Sequence, residues 1–561
     1  MGFLPSLGAV KASRDMTATF GGYNHNPVIA ANEFYDMRNM SSDGWPLLCP
    51  REARRKVRTL EKPNGLCANE KLAWVDGTGF YYDGQKYGTV ADSKKQFVNM
   101  GAYILIWPDK AYFNTKTHEF GSMENHVSVT GSVTVSLCKR DGTVYSGYTA
   151  ASSPPASPSN GALWIDTSAA PHVLKQYAAS LKMWTSVPTT YVKIAATGIG
   201  TGFLEGDGVT IAGMKDANLN GSFVLQGAGS GYLVITAIVD KVSTQTGGVL
   251  VSRTVPKMDY MTECENRIWG CSSEKHEIYA CVQGDFKNWN RYLGISTDSY
   301  AATIGTSGDF TGCITHLGYV LFFKPDVIHK IYGNRPSNYQ ITSTNCRGVQ
   351  KGSEKSLVIV NETLYYKAEN AVCAYNAALP SSVSEAFGNV FYKSASAGKC
   401  GSKYYISMKD GQGQPVFFVY DTAKNIWHRE DGTFAEYFAA AGGALYFIDA
   451  AGGLYETKGG TEDVEWMAQT GDIGLLSPDA QYISKIQIRL EAEQGALIRI
   501  EVQYDGESAW QEKYRINVTK RRSFAIPIIP RRCDTMRIRI VGRGKARVYS
   551  IAKTIEQGGE A

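Results

Sequence analysis

The chain has 561 residues, 43% of them hydrophobic and 20% charged, with a formal net charge of +5. That length is too great for one ordinary domain, and that apolar content excludes a wholly disordered chain. The 58 glycines and 33 tyrosines favour many short strands joined by tight turns.

The first residues carry no basic stretch ahead of a short apolar run, so they read as mature chain and not as a signal peptide. Gly2 and Ser6 fit the spacing of a myristoylation pattern, but a pattern so short arises by chance, and it contains Pro5. Residues 1–60 form an irregular arm that closes or docks on the domain C-terminal to it. Near its end lies a basic run of Arg51, Arg54, Arg55, Lys56 and Arg58. It reads as a docking segment at an assembly interface or, equally, as a solvated loop.

After the arm comes a degenerate repeat: an alternating strand rich in Tyr, Trp or Phe, a polar turn, then a second strand ending in an aromatic. It occupies 72–82, 103–112, 267–279, 319–332, 363–375, 403–420 and 444–455. Each copy reads as a hairpin. Apart from one long gap the copies begin roughly 30 to 50 residues apart, the period of a four-stranded propeller blade. The expected fold class is all-β, a β-propeller of about seven blades, divided into 61–124 and 257–465. Val419 to Trp427 and Gly284 to Trp289 read as strand ends that turn and place a Trp. The repeated aromatics are expected to pack between blades.

The gap, 125–256, has a different composition. Ser152 to Gly161 is a Pro/Ser-rich linker, and strands with glycines run on from Tyr191. It reads as a small inserted β domain. Trp164, Tyr177 and Trp184 are its candidate exposed aromatics, for contact with a glycan or a fibre. Past Tyr455 the repeat stops, and 466–561 carries longer alternating strands around 483–490, 497–504, 523–528 and 536–541, expected to form a β-sandwich of jelly-roll type.

That last segment holds 16 Lys and Arg against 11 Asp and Glu, so its surplus of five equals the charge of the whole chain. Within 513–553 thirteen basic residues accompany one acid, Asp534. Lys520, Arg521, Arg522, Arg531 and Arg532 are its candidate interface residues. The cluster fits a solvated outer face, an acidic protein partner, or nucleic acid.

Chemistry is sparse. The eleven cysteines form no C-x-x-C pair and read as reduced thiols, mostly buried. The eight histidines, each read as a loop or turn residue, show no metal-ligand spacing. No nucleophile elbow, H-E-x-x-H or phosphate-binding loop occurs. No catalytic residue, metal or cofactor is expected, and the chain is expected not to be an enzyme. No run of 18 apolar residues occurs, so no membrane insertion is expected.

Three arm segments carry a resemblance: Phe20-Gly-Gly-Tyr-Asn-His-Asn26, Asn32-Glu-Phe-Tyr-Asp-Met-Arg-Asn-Met40 and Pro46-Leu-Leu-Cys-Pro-Arg51. In that order, ahead of propeller repeats and a terminal sandwich, they resemble β-propeller tail proteins of tailed bacteriophages, called tail nozzle, tail hub or packaged-DNA stabilisation proteins. The resemblance covers most of the chain except 125–256. It implies a virion structural protein, assembled in the host bacterial cytoplasm, forming a homo-hexameric ring below the portal and adaptor proteins. It implies tail fibres or other tail proteins as neighbours, and double-stranded DNA in the lumen without sequence-specific binding. Such a ring retains packaged DNA and permits its ejection. A lumen for DNA should avoid a strongly basic lining, so the 513–553 cluster is expected to face a neighbour or the outside. The alternative expectation is a carbohydrate-binding propeller, as a phage receptor-binding protein or surface lectin. The third is a carbohydrate-active enzyme.

Overall fold

A computed structural model describes residues 12–476, 481–517 and 519–557; Gly2 and Ser6 lie outside them. The protein is an all-β propeller with an inserted β domain and a C-terminal β-sandwich. Seven four-stranded antiparallel sheets make the blades: 63–89, 96–122, 260–303, 312–345, 358–382, 392–429, and 435–459 with Arg54–Thr59. The chain divides into two compact units, Met1–Lys95 with Phe322–Ile328 and Ser343–Ala561, and Gln96–Leu321 with His329–Thr342. The first unit contains blades 1, 5, 6 and 7, the arm and the sandwich, and the second contains blades 2 and 3 and the insert.

Blade 6 shows why the repeat reads as aromatic. On one face Tyr404, Ile406, Met408, Phe418 and Tyr420 join one buried core, while Tyr405, Phe417 and Val419 on the other face join a second. A strand buried on both sides needs apolar residues at nearly every position. One expected signature is revised: Gly284 to Trp289 is loop, with Trp289 buried and its indole N–H donating to the Phe286 carbonyl at 2.9 Å.

The boundary expected at residue 60 moves. Arg54–Thr59 pairs with Gly453–Gly459 as the edge strand of blade 7, so the last blade is completed by a strand that precedes the first. The arm is also a sandwich component. Ala12–Thr17 pairs with Ala546–Gln557 in a four-stranded sheet, and Asp36–Arg38 pairs with Glu465–Gln469 in a five-stranded one. Within the sandwich Gln481–Ala492 pairs with Ala546–Gln557, and Leu497–Tyr504 with Met536–Arg543 in the other sheet. This nesting of first with last strand is a jelly-roll order. Phe20, Tyr23, Phe34, Met37 and Met40 of the arm share one core with Trp427 of blade 6 and with Ile486, Ile500 and Ile540 of the sandwich.

The insert is two sheets on one core. Eight strands between Asn125 and Arg253 form the larger sheet, and four strands within 149–186 form the smaller. Ile165 and Leu174 of the smaller sheet are buried in the larger sheet's core. The first and last strands, Asn125–Val129 and Val249–Arg253, pair with each other, so the domain leaves the chain where it entered. Insertion on adjacent ends costs the host little chain entropy. Asp207, fully buried, ties the insert to the loop after the third strand of blade 3, accepting from Arg253 at 2.6 Å and from Asn288 at 2.7 Å.

Candidate interaction surfaces

The arm ends in a buried ionic clasp. Glu430 and Asp431 come directly after the last strand of blade 6, where the chain turns toward blade 7. Arg54 reaches Glu430 at 2.7 Å and Asp431 at 3.0 Å, and Arg51 reaches both at 3.3 Å. The Arg54 guanidinium, 9% exposed, also lies over the Phe417 and Phe447 rings at 4.7 and 5.1 Å. Burial alone would raise the Asp431 pKa, but Arg54 and Arg51 outweigh it and hold this carboxyl below its usual range. Asn39 sits at the centre of the clasp with φ of 55°, a left-handed backbone that Asn tolerates. Its N–H donates to the Glu430 carbonyl, its carbonyl accepts from the Arg51 N–H at 2.9 Å, and its side-chain amide donates to the Glu465 carbonyl at 2.7 Å.

A second polar cluster joins the arm to blade 6. Lys403 and Asp421 are cross-strand partners, and His428 lies on the same face of the neighbouring strand. Ser42 donates to Asp421 at 2.6 Å, and Lys403 and Lys458 hold Asp43 at 2.7 and 3.0 Å. Full burial, then the nearby Lys403, pulls the His428 pKa down to about 3, so its imidazole is neutral at ordinary pH.

The basic run therefore divides. Arg51 and Arg54 are spent inside the chain, which corrects their reading as docking residues. Arg55 pairs with Glu456 at the surface, and Arg58 lies over the Trp74 ring at 5.1 Å.

The sandwich cluster is neutralised from outside its own window. Arg537 forks onto Asp472 at 2.7 and 2.6 Å, and Arg539 donates to Glu501 at 2.8 Å. Arg521 and Arg547 share Glu491 at 3.6 and 3.4 Å, Lys545 meets Glu493 at 3.5 Å, and Arg531 meets Glu507 at 2.8 Å. Arg521 also lies over the Tyr549 ring at 4.2 Å. Lys520, Arg522 and Arg532 are exposed, and Lys520 and Arg522 make no ion pair among the described residues.

The insert aromatics do come together, on the smaller sheet. Trp184 contacts Trp164 at 5.4 Å and Tyr177 at 5.3 Å between ring centroids. Trp164 is buried, with its indole N–H on the Ala151 carbonyl and Lys175 over its ring, so its expected exposure is corrected. Tyr177 and Trp184 remain half-buried.

Four histidines differ from the expected loop positions: His316, His329 and His428 lie buried on strands, and His126 lies exposed on one. All eleven cysteines are free thiols. Sequence reasoning missed Asn39, Glu430, Asp431 and Asp421, because nothing local marks a carboxylate that will meet an arginine hundreds of residues away.

No family model and no curated protein matches the chain. Solved structures do. A chain of the mitotic checkpoint complex matches at 9% identity and a TM-score of 0.30, over 82% of this chain and 99% of its own. An exo-β-1,3-galactanase from Phanerochaete chrysosporium, solved with β-1,3-galactotriose, matches at 8% and 0.18, over 90% and 99%. A bifunctional GH43-CE protein from Bacteroides eggerthii matches at 9% and 0.20, over 54% and 62%. The expectation that this chain is not an enzyme is corrected on that finding, because structures titled as carbohydrate-active enzymes are among its matches. Likenesses this distant assign no reaction.

Proposed function

We propose that the chain is a structural component of a bacteriophage tail, one subunit of a ring below the portal and adaptor proteins, around the DNA channel. One observation carries the reading. The arm segments that resemble phage tail proteins are the residues that join blade 6 to the sandwich: Tyr23, Phe34, Met37 and Met40 in the shared core, and Asn39 in the ionic clasp. The resemblance thus falls on the residues that set the architecture. In this reading Lys520, Arg521, Arg522 and Arg532 face an acidic neighbour and not the lumen, since a basic lining would hold the genome by its phosphates. The test is negative-stain imaging of the purified protein, alone and mixed with portal–adaptor complexes from the same locus. A ring forming on the complex is expected, and a particle that ignores the complex would sink the proposal.

A second reading, carbohydrate binding by the insert, is favoured by the half-buried Tyr177 and Trp184 side by side on one sheet face. It predicts glycan-array signal from the full chain that Trp184→Ala abolishes.

A further inference from the structure

Blade 5 and the turn after it flank an open cavity of about 250 Å3 that neither reading uses. Its lining includes Lys367, Glu369, Asn370, Ser384, Asn389 and Phe391. Lys367 ends the strand Thr363–Lys367 and is only 2% exposed. Its ammonium donates to the Ala368 carbonyl and, at 3.0 Å, to the Glu369 carbonyl. An ammonium has three N–H donors, so one remains unspent. Among the described residues no carboxylate stands within ion-pair distance of it. Glu369, exposed at the rim of the same cavity, supports that charge only from beyond ion-pair distance, and a buried cation with no direct ion pair is costly, which leaves room for a ligand carboxylate.

The remaining walls narrow the anion. Phe391, exposed, supplies ring surface, the Lys367 nitrogen lying 5.8 Å from its centroid. Asn370 and Asn389 supply amides. Ser384 accepts from the Val372 N–H at 2.9 Å and keeps its own O–H to donate. A bare inorganic ion would use the ammonium and leave the Phe391 wall unused. A hydroxylated ring carrying a carboxylate would use all three kinds of wall.

We propose that this cavity binds an acidic sugar residue, with Lys367 pairing its carboxylate. The proposal is independent of assembly and stands or falls whether or not the chain forms a tail ring. Burial pulls the Lys367 pKa down to about 8, against the opposing influence of Glu369 and Cys373. The site is therefore cationic at pH 7 and loses its charge as pH rises through 8.

The test is calorimetric titration of the full chain at pH 7 with N-acetylneuraminic acid and with glucuronic acid. Their methyl esters, N-acetylglucosamine and inorganic phosphate serve as controls. One of the acids is expected to bind, with its ester and Lys367→Met each weaker by about tenfold or more. Affinity is also expected to fall between pH 7 and 9. The proposal is overturned if neither acid binds at millimolar concentration, if the ester binds as well as the acid, or if phosphate binds as tightly. Unchanged binding by a folded Lys367→Met would also overturn it. Should that variant not fold, reductive methylation of the wild-type chain decides. The acid, and not its ester, must protect Lys367 in the peptide map, and equal modification with and without acid overturns the proposal.

Discussion

Two stretches of this chain look alike in sequence, the basic run at 51–58 and the basic cluster at 513–553, but the fold buries Arg51 and Arg54 of the first and leaves much of the second at the surface. Arg54 is buried against two carboxylates and two aromatic rings. Arg521, Arg543, Lys545 and Arg547 meet their acids on the surface, with side chains 60–69% exposed. The charge within a window does not reveal which kind it is. The counter-ions come from elsewhere in the chain, and burial sets the strength of the pair.

That contrast can be broken by mutation. Arg54→Ala leaves Glu430 and Asp431 buried without their main partner, so a loss of about 3–5 kcal/mol is expected in chemical denaturation. A loss under about 1 kcal/mol would make the clasp equivalent to a surface pair. Met37→Ala removes a fully buried side chain from the core shared by arm and sandwich. It is expected to cost about 2–5 kcal/mol, and an arm that merely lies on the surface would show almost nothing.

The pH dependence sharpens the same comparison. His428 is neutral when folded, with its pKa pulled down to about 3, and takes up a proton on unfolding below its ordinary value of 6.5. Its contribution is therefore present above pH 6.5 and is lost as pH falls from 6.5 toward 3, at up to about 1.4 kcal/mol per pH unit. His428→Gln should flatten denaturation midpoints measured across pH 4–6.5, and an unchanged slope would assign the acid sensitivity elsewhere. Asp431, held low, adds a loss that begins as pH falls through the ordinary carboxylate range. The smallest effect is expected at the sandwich. Arg521→Ala should change stability by about 0–1 kcal/mol, and less at high salt. A larger, salt-insensitive loss would mean that this face is not the solvated surface it resembles.

Much of the architecture was legible in the sequence because it rests on local pattern. Strands buried on both faces repeat aromatics at blade spacing, as 403–420 does, and longer sandwich strands alternate, as 536–541 does. The blade-7 edge strand at Arg54–Thr59 was not legible, since its partner lies some four hundred residues on and its exposed side chains carry no strand pattern. Trp164, Tyr177 and Trp184 could be nominated by type, but only packing separated the covered Trp164 from the two half-buried rings. Lys367 offered no sequence signal at all, because it is distinguished by burial with no direct ion pair among the described residues.

The sequence by itself determined the all-β class, the blade period, the place of the insert and the alternation of the sandwich, because side-chain periodicity is a local property of the chain. Tertiary structure decided which arginines are buried, which strand completes the last blade, how the arm joins propeller to sandwich, and that Lys367 is buried beside a cavity. Those depend on groups distant in sequence being brought within a few ångströms, where burial strengthens a good charge pair and penalises a missing one.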